Sequence, residues 1–199
     1  MVRKLTIGVI GIQGAVSEHV KILQKTYNKT DIKGNIIIIN HKDQIKKIDG
    51  LIIPGGESTT ISKILVKSNI YDEIYKKIKD NNLAIMGTCA GCVLLANALV
   101  ENNQDIKLLK AIDMTVKRNA FGRQKESFEY NINIDGLSKP YTAVFIRAPS
   151  IEKVGNKCKI LSKIDKKIII VRQDRYLALS FHPELTDDIR IHKFFLDMI

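Results

Sequence analysis

Cys89 stands at the centre of Met86-Gly87-Thr88-Cys89-Ala90-Gly91-Cys92, a Gly-x-Cys-x-Gly pattern directly after the apolar run Leu83-Ala84-Ile85-Met86. A nucleophile set on a sharp strand-to-helix turn occupies a strained backbone conformation, and small neighbours leave room for it. Gly87 and Gly91 have that size, and Val93-Leu94-Leu95-Ala96-Asn97-Ala98-Leu99 reads as the helix that follows. At a helix N-terminus, backbone N–H groups and the helix dipole favour a thiolate. Such a nucleophile needs a base, and the base needs a partner that fixes its tautomer. Phe181-His182-Pro183-Glu184-Leu185 offers both, after the strand-like Tyr176-Leu177-Ala178-Leu179-Ser180. Side chains at i and i+2 of an extended segment face the same way, so His182 and Glu184 can meet one site. His41 has Asp43 at the same spacing, but Lys42, Gln44, Lys46 and Lys47 around it read as a solvated loop, with Asp43 as a helix cap. His19 and His192 fall in helix-like segments and read as solvated or structural side chains.

A second segment, Asp49-Gly50-Leu51-Ile52-Ile53-Pro54-Gly55-Gly56-Glu57-Ser58-Thr59-Thr60, again runs from an apolar strand into a glycine-rich turn. Adjacent glycines can turn backbone N–H groups toward a ligand oxygen without hindrance, as an oxyanion hole requires. Gly56 and Ala90 are the candidate donors. The competing reading is an ordinary turn with Ser58 or Thr59 capping the next helix. A phosphate-binding loop is excluded, because the Lys-Ser/Thr ending that it needs is missing.

Three further motifs join these: Gly8-Val9-Ile10-Gly11-Ile12-Gln13-Gly14-Ala15, Arg118-Asn119-Ala120-Phe121-Gly122-Arg123-Gln124 and Phe145-Ile146-Arg147-Ala148-Pro149. In order and spacing the whole set, from about residue 5 onward, resembles the triad-type (class I) glutamine amidotransferases, and among them the glutaminase subunits of pyridoxal 5'-phosphate synthase. The resemblance implies Cys89 as nucleophile, His182 as general base and then acid, and Glu184 as the group orienting the histidine. It implies that Gly56, Glu57 and Ser58 form a loop that binds L-glutamine and helps build the oxyanion hole, with Arg118 and the pair Ile146-Arg147 completing the glutamine site. Physical chemistry agrees: free glutamine carries a carboxylate that an arginine fork can bind and an ammonium that a carboxylate can hold. The resemblance further implies a synthase subunit as partner in a large hetero-oligomer, receiving the ammonia directly, and chemistry that uses neither cofactor nor metal. Cysteine proteases and chaperones with a similar elbow commonly place a histidine directly after the cysteine; here that position is Ala90.

The elements that must position these residues follow a doubly wound pattern. Strands near 5–10, 35–39, 50–53 and 83–87 are separated by helical segments near 15–28, 58–79 and 89–100. Continuous apolar strands between helices imply an α/β fold with a mostly parallel sheet covered on both faces, flavodoxin-like in the family it resembles. Residues 106–181 are richer in strand-like pieces, at 112–117, 127–134, 142–146, 158–164, 168–172 and 176–180, and a helix near 187–198 follows. Ligands bind such sheets outside the carboxyl ends of the strands, where the loops after 10, 53, 87 and 180 carry the motifs.

With 199 residues and 45% hydrophobic content, a single domain over 1–199 is expected. No apolar run reaches the roughly 18 residues that a membrane span needs, and Met1-Val2-Arg3-Lys4 leads into a core strand, so cytoplasmic residence is the expectation. Three cysteines without paired spacing argue against a disulfide framework and a structural zinc site; Cys92 reads as a small core residue. The net charge of +11 is lysine dispersed along helices such as Tyr75-Lys76-Lys77-Ile78-Lys79, without an arginine cluster or stacking platform, which argues against nucleic-acid binding.

Overall fold

The computed structural model describes residues 4–101, 105–118, 120 and 127–199. Met1-Val2-Arg3, residues 102–104 and most of the motif after Arg118 lie outside the described residues.

Four strands open the fold: β1 (Leu5–Ile10), β2 (Gly34–Ile39), β3 (Gly50–Ile53) and β4 (Ala84–Thr88), all mutually parallel. Between them run α1 (Val16–Lys29), α2 (Ser58–Lys67) and α3 (Ile70–Lys79), and α4 (Ala90–Leu95) follows β4. The later strands are β5 (Ala96–Leu99), β6 (Ile112–Lys117), β7 (Ser127–Ile132), β8 (Tyr141–Ile146), β9 (Ser150–Val154), β10 (Lys159–Ile164), β11 (Lys167–Gln173) and β12 (Tyr176–Leu179), before α5 (Arg190–Leu196). The main sheet has the order β2-β1-β3-β4-β12-β11-β9-β6-β5, with β10 paired to β11; β7 and β8 form a separate antiparallel ribbon. The fold is thus a mostly parallel α/β sheet with antiparallel additions in the C-terminal half, as the sequence predicts.

Strand alternation divides the core between two faces. Ile53 and Ile85 pack with Ile61, Leu65, Ile74 and Leu94 on one side, beneath α2, α3 and α4. Ile7, Val9, Ile52 and Met86 pack with Leu23, Tyr27, Ile191 and Phe195 on the other, beneath α1 and α5. Both sides of β3 and β4 are therefore apolar, and the two strands are buried throughout.

Three local readings need correction. The helix expected over 58–79 is two: Ser68 donates its hydroxyl to the Ile64 carbonyl, and Asn69 turns the chain with φ 57°, a left-handed conformation that asparagine tolerates. The helix expected over 89–100 stops at Leu95, and Ala96–Leu99 becomes a strand parallel to β6. An unbroken apolar stretch has no periodicity to separate these outcomes. The loop at His41 is a 3-10 turn, Lys42–Lys47, pinned by the Gln44 side chain, which accepts from the Asn40 and His41 amides. Asp43 pairs with Lys46, and His41 is exposed.

Candidate active site

Cys89 sits between β4 and α4 with φ 49° and ψ −102°, a conformation disfavoured for any residue with a Cβ. Its amide donates to the Leu179 carbonyl at 2.9 Å, and its carbonyl accepts from Val93, so both neighbouring elements hold the turn. Gly91 is required by close approach: a Cβ there would lie 2.0 Å from the Ile53 carbonyl oxygen. The same holds for Gly55, whose Cβ would lie 2.4 Å from His182 Cε1 and 3.3 Å from the Cys89 Cβ. The Gly55 turn thus packs against both the His182 ring and the Cys89 side chain.

His182 and Glu184 leave the end of β12 as expected, but the i, i+2 argument applies only in part. The chain enters a 3-10 turn, Pro183–Leu185, so Glu184 lies on a turn and not on an extended strand. That turn still brings His182 Nδ1 within 2.7 Å of Glu184 Oε1, and the His182 amide donates to the Val144 carbonyl at 2.8 Å. Both residues are buried, at 8% and 5% exposure. Burial disfavours a charged imidazole, but hydrogen bonds to Cys89 and Glu184 and the negative charge of both outweigh it, and His182 is pushed up to about 10. Burial likewise opposes ionisation of Glu184, yet His19 and His182 hold its carboxyl below the usual carboxylate range.

The site opens into a cavity of about 480 Å³ lined by Gly56, Glu57, Ser58, Arg118, Ile146 and Arg147 together with Cys89, Ala90 and His182. All ten residues singled out in the sequence line this cavity or, for Glu184, abut His182 behind it. Gly56 has φ 141°, and Ala90 opens α4 directly after the thiol. Glu57, and neither Ser58 nor Thr59, caps α2: its carboxylate accepts from the Thr59 and Thr60 amides at 3.1 and 2.7 Å. Burial raises its pKa, but those amide bonds prevail and lower it. Arg118 Nη2 pairs with Glu57 Oε1 at 3.1 Å across the cavity rim. The Ile146 carbonyl lies 3.7 Å from Cys89 Sγ, and Arg147 follows with φ 43°. Cys92 is fully buried, and burial pushes its thiol far up, which leaves it inert.

Sequence reasoning gives Gln13 no role and leaves His19 and His192 open between solvated and structural side chains. Gln13 lines the cavity, and its Oε1 accepts from the Glu57 amide at 3.1 Å. His19 and His192 are fully buried, and His19 Nε2 lies 3.3 Å from Glu184 Oε2. A signal existed, because His19 shares the apolar stripe of α1 with Ile22, Leu23, Thr26 and Tyr27 at i, i+3, i+4 spacing.

A sequence profile of the SNO glutamine amidotransferase family matches residues 9–199. The chain belongs to this family. It is 48% identical to the pyridoxal 5'-phosphate synthase subunit PdxT of Methanococcoides burtonii, over 98% of this chain and 99% of that one. The PdxT of Pyrococcus furiosus is 44% identical, over 97% and 98% of the two chains. Among solved structures, a glutamine amidotransferase crystal structure superposes with a TM-score of 0.87 at 38% identity, covering 96% of this chain and 97% of the other. The resemblance read from the motifs is therefore that of a family member, and the amidotransferase architecture extends over nearly the full sequence.

Proposed function

We propose that this family member hydrolyses L-glutamine to L-glutamate and ammonia through Cys89, His182 and Glu184, and passes the ammonia to a synthase subunit making pyridoxal 5'-phosphate. The observation that carries the reading is the buried row Cys89, His182, Glu184 at the floor of a cavity rimmed by Glu57 and Arg118.

The Cys89 thiolate attacks the side-chain amide carbon of glutamine, and the backbone N–H groups of Gly56 and Ala90 hold the oxyanion, a contribution of order 10²–10³ in rate for each such donor. The His182 imidazolium gives its proton to the amide nitrogen, the C–N bond breaks, and ammonia leaves from a γ-glutamyl thioester. His182, now neutral, takes a proton from water; the hydroxide adds to the thioester carbon, the C–S bond breaks, and the thiolate and glutamate are restored. Glu184 keeps the imidazole oriented with Nδ1 occupied, so that the other nitrogen faces the thiol. An imidazole pushed up to about 10 matches the first half of this cycle, which begins from a protonated base.

Substrate recognition follows from charge. Glu57 and Arg118 place an anion and a cation side by side at the rim, complementary to the zwitterionic end of a free amino acid. Ser58, Arg147 and the Ile146 backbone complete the wall facing the thiol. Residues 1–199 act as one catalytic domain in this reading, inside a large hetero-oligomer in the cytoplasm. No helix among the described residues is long and apolar enough to cross a membrane. Free ammonia would be protonated and lost, which is the reason for a partner that takes it through a protected route.

The test is glutamate release from glutamine by the wild-type chain and Cys89→Ala, each with and without a pyridoxal 5'-phosphate synthase subunit. Activity that needs Cys89 and rises with the synthase is the expected result. Cys89-dependent activity indifferent to the synthase removes the partner, and no wild-type activity in either condition removes the enzyme.

A further inference from the structure

Behind the site lies a buried polar chain that the mechanism above does not use. Glu184 turns Oε1 to His182, and its Oε2, also buried, makes no hydrogen bond of good geometry among the described residues. The group nearest to supplying one is His19 on α1, whose Nε2 lies 3.3 Å from Glu184 Oε2 and 3.3 Å from the Thr88 hydroxyl of β4. The other nitrogen of that ring, Nδ1, lies 3.1 Å from His192 Nε2 on α5. Both histidines are entirely buried, and their rings stack at a tilt with centroids 5.3 Å apart.

One arrangement of protons fits this chain better than its reverse. Burial holds both imidazoles in the neutral form, so each carries a single N–H. With His19 protonated on Nε2, that hydrogen bonds the Thr88 hydroxyl in the unliganded site, with Glu184 Oε2 equally near at 3.3 Å, and Nδ1 accepts from the His192 Nε2–H. The sole ring atom of the pair then left without a partner is His192 Nδ1, which is also the one buried ring nitrogen among the described residues without a hydrogen bond. An unpaired acceptor costs less than the reverse arrangement, which would bury an unpaired N–H and set a lone pair of His19 against an ionised carboxylate.

We infer that His19 is a positioning residue for the glutaminase reaction: its Nε2–H holds the outer oxygen of Glu184, and His192 fixes the tautomer that lets it do so. The inference rests on the reading of Cys89, His182 and Glu184 given above. The hydrogen bond acts when the carboxylate must stay charged and still beside an imidazolium, and such bonds tighten in the reacting complex relative to the empty site. The groups facing Glu184 are few. His182 comes from its own turn, His19 and Glu18 from α1, and the Tyr141 phenol from β8. Lys21 and Lys25 line the surface groove that reaches it.

Two measurements on the holoenzyme with a synthase subunit test this. In wild-type protein labelled at the histidine nitrogens, NMR is expected to find His19 neutral and protonated on Nε2 throughout the working pH range; protonation on Nδ1, or titration of His19 within that range, overturns the proposal whatever the activity. In steady-state kinetics, His19→Leu is expected to lower kcat by about 10–100-fold, the usual cost of losing a group that orients a catalytic ligand or base. KM should change by less than about twofold, and the acid limb of the kcat/KM profile should move to higher pH, because a carboxylate deprived of a donor protonates more readily. His19→Gln, which keeps an N–H at the corresponding place, should restore most of the rate and the position of the limb. A His19→Leu protein that loses thermal stability but keeps the wild-type kcat and pH profile overturns the proposal. A wild-type chain without Cys89-dependent glutamate release breaks the glutaminase reading, and the NMR tautomer still decides the placement of the His19 proton.

Discussion

Glu184 separates two histidine environments that differ in almost everything but burial. On the cavity side His182, 8% exposed, is pushed up to about 10; on the core side His19 and His192, both at 0%, are pushed down. Burial lowers all three, so the difference lies in the partners. His182 has a carboxylate at 2.7 Å and a thiol on its other side. His19 has the same carboxylate only at 3.3 Å, with the charge of His182 working against it, and His192 has only His19. The carboxylate favours a proton on both sides, but only on the cavity side, with the shorter contact and the thiol as a second partner, does that attraction outweigh burial.

The comparison breaks most visibly when the thiol is removed. Cys89→Ala should cut glutamate release by something on the order of 10⁴–10⁶, as nucleophile deletions do elsewhere. It should also lower the His182 titration followed by NMR, since one of its two raising partners is gone. An unchanged His182 titration would assign the whole shift to Glu184. Glu184→Gln is next: kcat should fall by roughly 10³–10⁴, the scale for a triad whose histidine loses its anionic partner, with His182 again titrating lower. Arg118→Ala touches neither histidine environment. It should raise KM by about 10–100-fold with kcat nearly intact, the range for one lost charge-assisted contact, and a loss confined to kcat would move Arg118 from binding to chemistry.

Stability against pH sharpens the same contrast. An unfolded histidine titrates near its ordinary 6.5, whereas folded His182 does so at about 10. Its contribution is whole below 6.5 and is lost as pH rises from 6.5 through about 10, because only the folded chain holds the proton in that window. His19 and His192 act in the opposite sense: folded values below 6.5 mean that the unfolded chain takes the proton first, so stability falls as pH drops below 6.5. Thermal melts across pH should show both arms, and His182→Gln should flatten the alkaline one alone. The smallest effect belongs to the exposed ion pair Lys25–Asp187 beside the groove to Glu184. Asp187→Asn should leave the denaturant midpoint essentially unchanged, since such exposed pairs contribute little, and a clear drop would mean that the groove supports the buried carboxylate.

The residues that converge on the cavity were legible because each follows an apolar strand and ends it with a residue type that ordinary turns do not need. Cys89 and His182 are of this kind, whereas Gly56 suits an ordinary turn equally well and gains its meaning from the motifs around it. Glu57 was legible as a charge but not as the cap of α2, because a Ser-Thr-Thr run beside it has equal claim from sequence. For His19 and His192 the sequence leaves solvated and structural readings open; what decides between them is that α1 and α5, far apart in the chain, lie side by side on one face of the sheet. The elements that escaped were those decided by distant partners. Ala96–Leu99 is a strand because β6 is there to receive it, and Ser150–Val154 is one because β6 and β11 flank it, although Glu152 and Lys153 give it little apolar pattern.

The strand order carries a consequence for synthesis. β4, which ends one residue before Cys89, is flanked by β3 and by β12, and both neighbours are parallel to it. As the chain leaves the ribosome, β1, β3 and β4 are available to pair early, but the second edge of β4 stays open until Tyr176–Leu179 has been made. An open, wholly apolar edge is prone to pairing with the wrong chain, and closing it across so long a loop is slow. The strand that closes that edge is also the one that delivers His182 through the turn after it, so a nascent chain acquires its base in the same event that seals its most adhesive surface.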